Sequence, residues 1–262
     1  MKRMLKIMGW TLFLSYVVIC VLGLWMVDKL IFAPPPSFYR AEGPIQLIDD
    51  GDGGQLAIWQ ELNPEAAFTI LYSHGNAEDL GEIAYVSEMF VAQGFSFVAY
   101  DYSGYGLSTG RASVQNSYQN IETVYGYLTE KMGVDASNII VMGNSIGSGP
   151  STYLAAKEPV GGLILQSAFT SIYRVVTQWP IFVGSPFPNL SRLRETDCPL
   201  LVIHGTADRV IPFAHGAELF DKAKEPKVFY PMPGVDHNEV LLFADEQYWA
   251  KVASFMALVP SP

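Results

Sequence analysis

A chain of 262 residues, half of them hydrophobic, is long enough to bury one substantial core, and a single domain of roughly 200 to 250 residues is its default organisation. The formal net charge is -10, and the basic residues Lys2, Arg3 and Lys6 sit in an N-terminal stretch without acids, so the remainder is more acidic still. That balance argues against nucleic acid as a partner, and the two cysteines, Cys20 in an apolar run and Cys198 before Pro199, suggest neither a disulfide framework nor a metal site.

In chain order, the first element is an uncharged run from Ile7 to Val27, which at 1.5 Å per residue spans about 31 Å, the thickness of a bilayer's hydrocarbon. Residues 1–27 are therefore predicted to be a transmembrane anchor. A cleaved signal sequence is the competing reading, but its apolar stretch is typically about 7 to 15 residues and ends in small side chains. Here the run closes on Trp25, Met26 and Val27. A buried core helix is the third reading. Residues 28–44, with Pro34, Pro35 and Pro36, read as a stiff spacer, and 45–262 as the folded domain.

Ile45 to Ile48 and Gln55 to Leu62 are expected to pair as a hairpin across the Asp49–Gly54 turn, whose glycines and aspartates are hairpin chemistry. The turn lacks the further ligands and distal Glu of a calcium loop. Short apolar runs at Phe68–Tyr72, Phe95–Tyr100, Asn138–Met142, Gly162–Leu165 and Leu200–Ile203 read as buried parallel strands. Helices are expected near Glu78–Gln93, Ser113–Lys131, Ile146–Lys157 and Phe213–Lys224, with a last one after Glu246. This alternation implies an α/β fold with a mostly parallel, doubly wound sheet. One long connection, about 168–197, breaks the rhythm and reads as a short cap, with Ile172, Val175, Val176, Trp179, Ile181, Phe182 and Phe187 as an apolar lining suited to acyl chains. A structural excursion over the sheet edge is the alternative.

Gly143, Asn144, Ser145, Ile146 and Gly147 form a GxSxG sequence lying directly between a predicted strand and a predicted helix. A turn this tight needs glycines on either side of the serine, which then projects above the sheet. A serine hydroxyl is a weak nucleophile, so it needs a histidine base, and the base needs an acid. In sheets of this kind the acid and then the histidine follow the serine in the chain, which leaves His215 and His237; His215 reads as an ordinary helix-surface residue and His237 as a loop residue, so His237 is selected. Asp208, just past the Leu200 strand, is the expected acid, and Asp236 is the competitor disfavoured by its adjacency to His237. The loop after the Phe68 strand places Asn76 where such a sheet supplies an oxyanion amide, so the backbone N–H groups of Asn76 and Ile146 are the candidate oxyanion hole. His74 reads as a brace for that loop, and the segment from Asp101 to Gly106 as a structural turn lining the site.

The motifs SHGNAEDLG from Ser73, YDYSGYGLSTG from Tyr100, GNSIGSGPS from Gly143, HGTADRVIP from His204 and DHN at Asp236 together resemble a branch of the α/β-hydrolase superfamily, the membrane-anchored serine hydrolases that include depalmitoylase-type esterases. The resemblance implies ester or thioester hydrolysis with Ser145 as nucleophile, Asp208 as acid and His237 as base, and no metal or organic cofactor. An integral helix here replaces the cysteine-rich, lipidated N-terminus of depalmitoylases. The expected partners are a small-molecule or lipid-like acyl substrate and a membrane held by the N-terminal helix; no oligomeric state is implied. Two other functions stay open: a serine peptidase of the same fold, and a catalytically silent membrane-anchored binding protein.

Overall fold

The computed structural model describes residues 2–177 and 184–260. Its centre is one eight-stranded sheet in the order β1-β2-β4-β3-β5-β6-β7-β8. The strands are β1 (Ile45–Asp49), β2 (Gln55–Glu61), β3 (Thr69–Ser73), β4 (Ser96–Tyr100), β5 (Ile139–Asn144), β6 (Gly162–Gln166), β7 (Leu200–Gly205) and β8 (Lys227–Met232). β1 and β2 pair antiparallel, as does β2 with β4, and every later pairing is parallel. The hairpin turn is closed by side chains: Gly51 N–H donates to Asp49 Oδ1 at 2.7 Å, and Gly54 N–H to Asp50 Oδ1 at 2.8 Å.

Both faces of the sheet are covered, which is why the central strands carry apolar residues at consecutive positions rather than at alternate ones. Along β5, Ile139 and Val141 face a core shared with α3 (Val114–Gly126), α4 (Ser148–Lys157) and α7 (Ala214–Lys222). Ile140 and Met142 face the opposite core, shared with α2 (Ala84–Ala92) and α8 (Glu246–Met256). β8 has no counterpart among the expected strands. As an edge strand it carries Pro231, which weakens a strand reading, and leaves half its residues partly exposed. α2 starts at Ala84 instead of Glu78; the residues before it form a loop in which Leu80 N–H donates to Asp101 Oδ1 at 3.0 Å.

The N-terminal helix α1 (Lys2–Ile31) is long and apolar enough to cross a membrane over Lys2–Gly23, and no residue of that window is buried. It runs past the Val27 limit of the uncharged stretch, and its end is built into the domain. Asp28 Oδ1 accepts Val114 N–H at 3.0 Å. Phe32 is buried edge-on to Tyr102, Tyr105 and Phe187. Further on, the Tyr39 hydroxyl donates to Asp101 and accepts Leu107 N–H. Within the stretch expected to form only a spacer, Asp28, Phe32 and Tyr39 are thus packed against the start of α3 and the loop after β4.

In the long connection after β6, two short helices are described, α5 (Ile172–Val176) and α6 (Asn189–Arg192). Ile172 and Val175 are half-buried, packed against the core. Phe187, expected in the apolar lining, is instead fully buried core, its ring pressed against Gly149 of α4, where the missing side chain admits it. Trp179, Ile181 and Phe182 lie outside the described residues, as does the Val176 side chain. Because Phe32 joins α1 to this aromatic cluster, Phe32→Ala is expected to lower stability by roughly 3 to 5 kcal/mol, read as a fall in thermal midpoint of the full-length chain in detergent. A midpoint equal to wild type would mean that the helix exit is only peripherally attached.

Candidate functional site

β5 ends at Asn144, and the chain turns through Ser145 into a single 3-10 turn (Ser145–Gly147) before α4 begins. Ser145 takes φ +52°, the left-handed region that L side chains avoid. The turn is held by two close approaches. A Cβ on Gly143 would lie 2.5 Å from the Gly147 carbonyl oxygen, and one on Gly147 would overlap the Ser73 carbonyl at the end of β3. Glycine at both positions lets the helix start directly above the strand, so the Ser145 hydroxyl stands clear of the sheet.

The structure brings Ser145, His237 and Asp208 together. His237 Nε2 is 2.9 Å from Ser145 Oγ, and its Nδ1 is 2.7 Å from Asp208 Oδ2. With Nδ1–H donating to the carboxylate, Nε2 is the acceptor for the serine proton. Asp208 Oδ1 meanwhile accepts the backbone N–H groups of Val210 and Ile211 at 2.9 and 2.7 Å. Burial alone would push the Asp208 carboxyl up. The donors His204 and His237, with the Ile211 amide, outweigh it and hold the pKa well below the usual carboxylate range.

Three residues outside the expected set complete this arrangement. His204 is fully buried, its Nε2 3.3 Å from Asp208 Oδ2 and 2.9 Å from the Ile211 carbonyl oxygen. The signal for it was its place at the end of β7, four residues before the acid. Arg209 and Asp236 tie the two loops together. Asp236 Oδ1 accepts Arg209 N–H at 2.9 Å and His237 N–H at 2.8 Å, while Oδ2 pairs with the Arg209 guanidinium. Asp236 is therefore the N-cap of the turn carrying His237, and Arg209 holds its carboxyl down at about 2. Its carboxylate is spent on Arg209 and the backbone, consistent with Asp208 as the partner of the His237 ring.

The remaining histidines are structural in different ways. His215, read from sequence as a surface residue, is buried, with Nδ1 3.0 Å from Thr170 Oγ1. α7 packs that face against the segment after β6, so an amphipathic pattern alone misassigned it. His74 does brace its loop: Nδ1–H meets the Gly75 carbonyl oxygen at 2.8 Å, and Nε2 lies 3.4 Å from Asp101 Oδ1. Burial lowers the His74 pKa, but the Asp101 carboxylate more than offsets this and the net shift is upward.

The two candidate oxyanion amides come from the segments that Gly147 presses together. Asn76 follows β3 in the loop whose Ser73 and His74 carbonyls lie over Gly147. Ile146 lies in the first turn after the elbow, where helical N–H groups have no intrahelical acceptor. Among the described residues no acceptor is recorded for the Asn76 N–H.

The depressed Asp208 pKa fixes a sign for pH dependence. The stabilisation it brings is fully present above the unfolded carboxyl value near 3.9 and is lost as pH falls through that value towards the folded one. The gap in thermal midpoint between wild type and Asp208→Asn is therefore expected to be widest at pH 6 and to narrow by pH 3. A gap that stays constant or widens on acidification would contradict the assignment.

A family model described as "Serine aminopeptidase, S33" matches residues 64–192. The α/β hydrolase domain-containing protein aho-3 of Caenorhabditis elegans is 33% identical over 90% of this chain and 79% of its own. Human α/β hydrolase domain-containing protein 17B is 36% identical over 78% of this chain and 72% of its own. Among solved structures, the esterase Pf2001 of Pyrococcus furiosus superposes with a TM-score of 0.71 at 16% identity, covering 86% of this chain and 97% of that one. Est1E of Butyrivibrio proteoclasticus, solved with ferulic acid bound, superposes with a TM-score of 0.65 at 19% identity, covering 79% and 99%. Sheet order, elbow and relatives agree, and the chain belongs to the α/β-hydrolase superfamily.

Proposed function

We propose that this chain is a serine hydrolase that cleaves a carboxylic ester or thioester through an acyl-serine intermediate. The observation that carries the reading is the continuous hydrogen-bonded line from Ser145 Oγ through His237 to Asp208, with separations of 2.9 and 2.7 Å. As His237 Nε2 takes its proton, Ser145 Oγ attacks the carbonyl carbon, and the negative charge moves to the carbonyl oxygen. The Asn76 and Ile146 N–H groups receive that oxygen, each such donor contributing roughly 3 kcal/mol in enzymes of this type. The tetrahedral species collapses with loss of the alcohol or thiol, which takes the proton from His237. Water then repeats the attack on the acyl-serine, giving its proton to His237, and Ser145 is restored as the acid departs. Asp208 keeps its charge throughout and stabilises the imidazolium.

Ser145→Ala, His237→Ala and Asp208→Asn are each expected to lower kcat on an activated short-chain ester by roughly 10³-fold or more, non-additively. Labelling by a fluorophosphonate probe is expected to vanish in Ser145→Ala. A wild-type chain that neither turns over ester nor takes the probe would return the protein to the class of silent binding modules. The match to a family described by aminopeptidase activity supports a second reading, peptide-bond cleavage by the same residues. A graded panel of acyl esters, thioesters and aminoacyl p-nitroanilides separates the two by kcat/KM.

The apolar helix is read as a membrane anchor. Lys2, Arg3 and Lys6 precede it, and downstream Lys29 is balanced by Asp28, so the positive-inside bias favours a cytoplasmic N-terminus and a catalytic domain on the far side. A reporter fused to the C-terminus and active only in the cytoplasm is expected to stay silent; a strong signal would invert the topology.

A further inference from the structure

The side chain of Asn76 plays no part in the reaction as proposed, yet both its amide oxygen and its amide nitrogen are engaged. Its Nδ2 donates to the Ile31 carbonyl oxygen at 2.7 Å, at the last residue of α1. Its Oδ1 accepts Ala33 N–H at 2.9 Å and the Tyr105 hydroxyl at 2.6 Å. Ala33 N–H also reaches the Tyr105 hydroxyl at 2.9 Å, closing the cluster. Burial pushes the Tyr105 hydroxyl up to about 12, so it stays a donor across the physiological range.

The loop held this way is strained. Ala77, the next residue, takes φ +58° without being glycine, a conformation that persists only where surrounding contacts over-determine it. One flank of the loop is fixed by the Gly75 N–H bond to Glu78 Oε2 at 2.8 Å. The Tyr102 hydroxyl donates to the His74 carbonyl oxygen at 2.7 Å, and further contacts come from the exit of α1. Besides Ile31 and Ala33 on Asn76, the Tyr39 hydroxyl donates to Asp101, whose other oxygen receives Leu80 N–H and faces His74. The segment leaving the apolar helix thus grips the loop at Asn76 and again behind His74.

We propose that Asn76 is a positioning residue: its side chain, clamped to the exit of α1 at Ile31 and Ala33 and to Tyr105, fixes the direction of its own backbone N–H towards the oxyanion. This rests on the reading of that N–H as an oxyanion donor. Its consequence is that the docking of the N-terminal helix sets the rate of the chemical step, because the clamp orients a group whose bond strengthens only as charge develops on the carbonyl oxygen.

The test uses the full-length chain in detergent micelles with a short-chain p-nitrophenyl ester, and Asn76→Ala and Tyr105→Phe as variants. Phenylalanine keeps the ring packed against Phe32 and Tyr102 and removes only the hydroxyl. Three quantities are read: kcat, KM, and the affinity for a boronic acid, whose tetrahedral adduct with Ser145 places an oxygen in the oxyanion hole. Asn76→Ala is expected to lower kcat by about 10- to 100-fold with KM within about twofold, and to weaken the boronate by the same factor. Tyr105→Phe is expected to show the same pattern at roughly 3- to 10-fold. If Asn76→Ala fails to fold, Tyr105→Phe decides. Wild-type kcat and boronate affinity in the folded variants, or a change confined to KM or to thermal midpoint, would overturn the inference while leaving the hydrolase reading intact. Turnover equal in wild type and Ser145→Ala would instead overturn the hydrolase reading, and this inference with it.

Discussion

The contact between Gly147 and the Ser73 carbonyl governs the geometry above the sheet. It brings the end of β3 and the start of α4 closer than any side chain would permit, and the two elements concerned flank the nucleophile candidate. Ser145 in turn accepts a left-handed backbone, a strain of order 1 to 3 kcal/mol that the paired strands and packed helix must offset. Register matters for the same reason. β3 and β5 pair Ser73 with Gly143, so a slip of one residue would separate the elbow from the loop that lies over it.

A second dependence is electrostatic. Asp208 is a buried carboxylate, which is stable as an ion only because every direction around it is met by a donor: two backbone amides on one oxygen, two imidazoles on the other. Arg209 and Asp236 add a bond between the acid loop and the base loop that does not touch the reacting atoms. Asp236 fixes His237 from behind through its backbone, while Asp208 fixes it from the side through its ring. Orientation of the imidazole is therefore set twice, from loops that follow different strands.

Much of this was legible in the sequence because it follows from short-range rules. Gly143 and Gly147 at fixed spacing about Ser145, with an apolar run before and a helix after, specify one kind of turn. Asp208 lies just beyond a strand whose buried character is unmistakable. What escaped reading involves contacts between distant segments. β8 is an edge strand interrupted by Pro231, a residue that argues against a strand when read locally. His215 lies on an amphipathic helix whose face is decided by a loop more than forty residues earlier, at Thr170. Phe187 sits in an aromatic-rich connection that suggests a lining, and only the space left by Gly149 draws it into the core. The engagement of Ile31, Phe32 and Ala33 was hidden by composition: a proline-rich stretch after an apolar helix reads as a tether, and nothing local says that Asn76 and Tyr105 receive it.

The continuity of α1 into that dock gives the helix a defined azimuth. Each residue of an α-helix advances the chain by about 1.5 Å and turns it by about 100°, so a rigid helix whose last turn is locked to the domain transmits rotation as well as distance. One residue inserted in the exposed part of α1 would swing the mouth of the site around the helix axis by more than a quarter turn. Seven residues, close to two full turns, would restore its heading to within about 20° while raising it by about 10 Å. A flexible tether would register only the change in length. If a membrane holds the helix as proposed above, the phase of the helix, and not its reach alone, determines which way the domain faces along it.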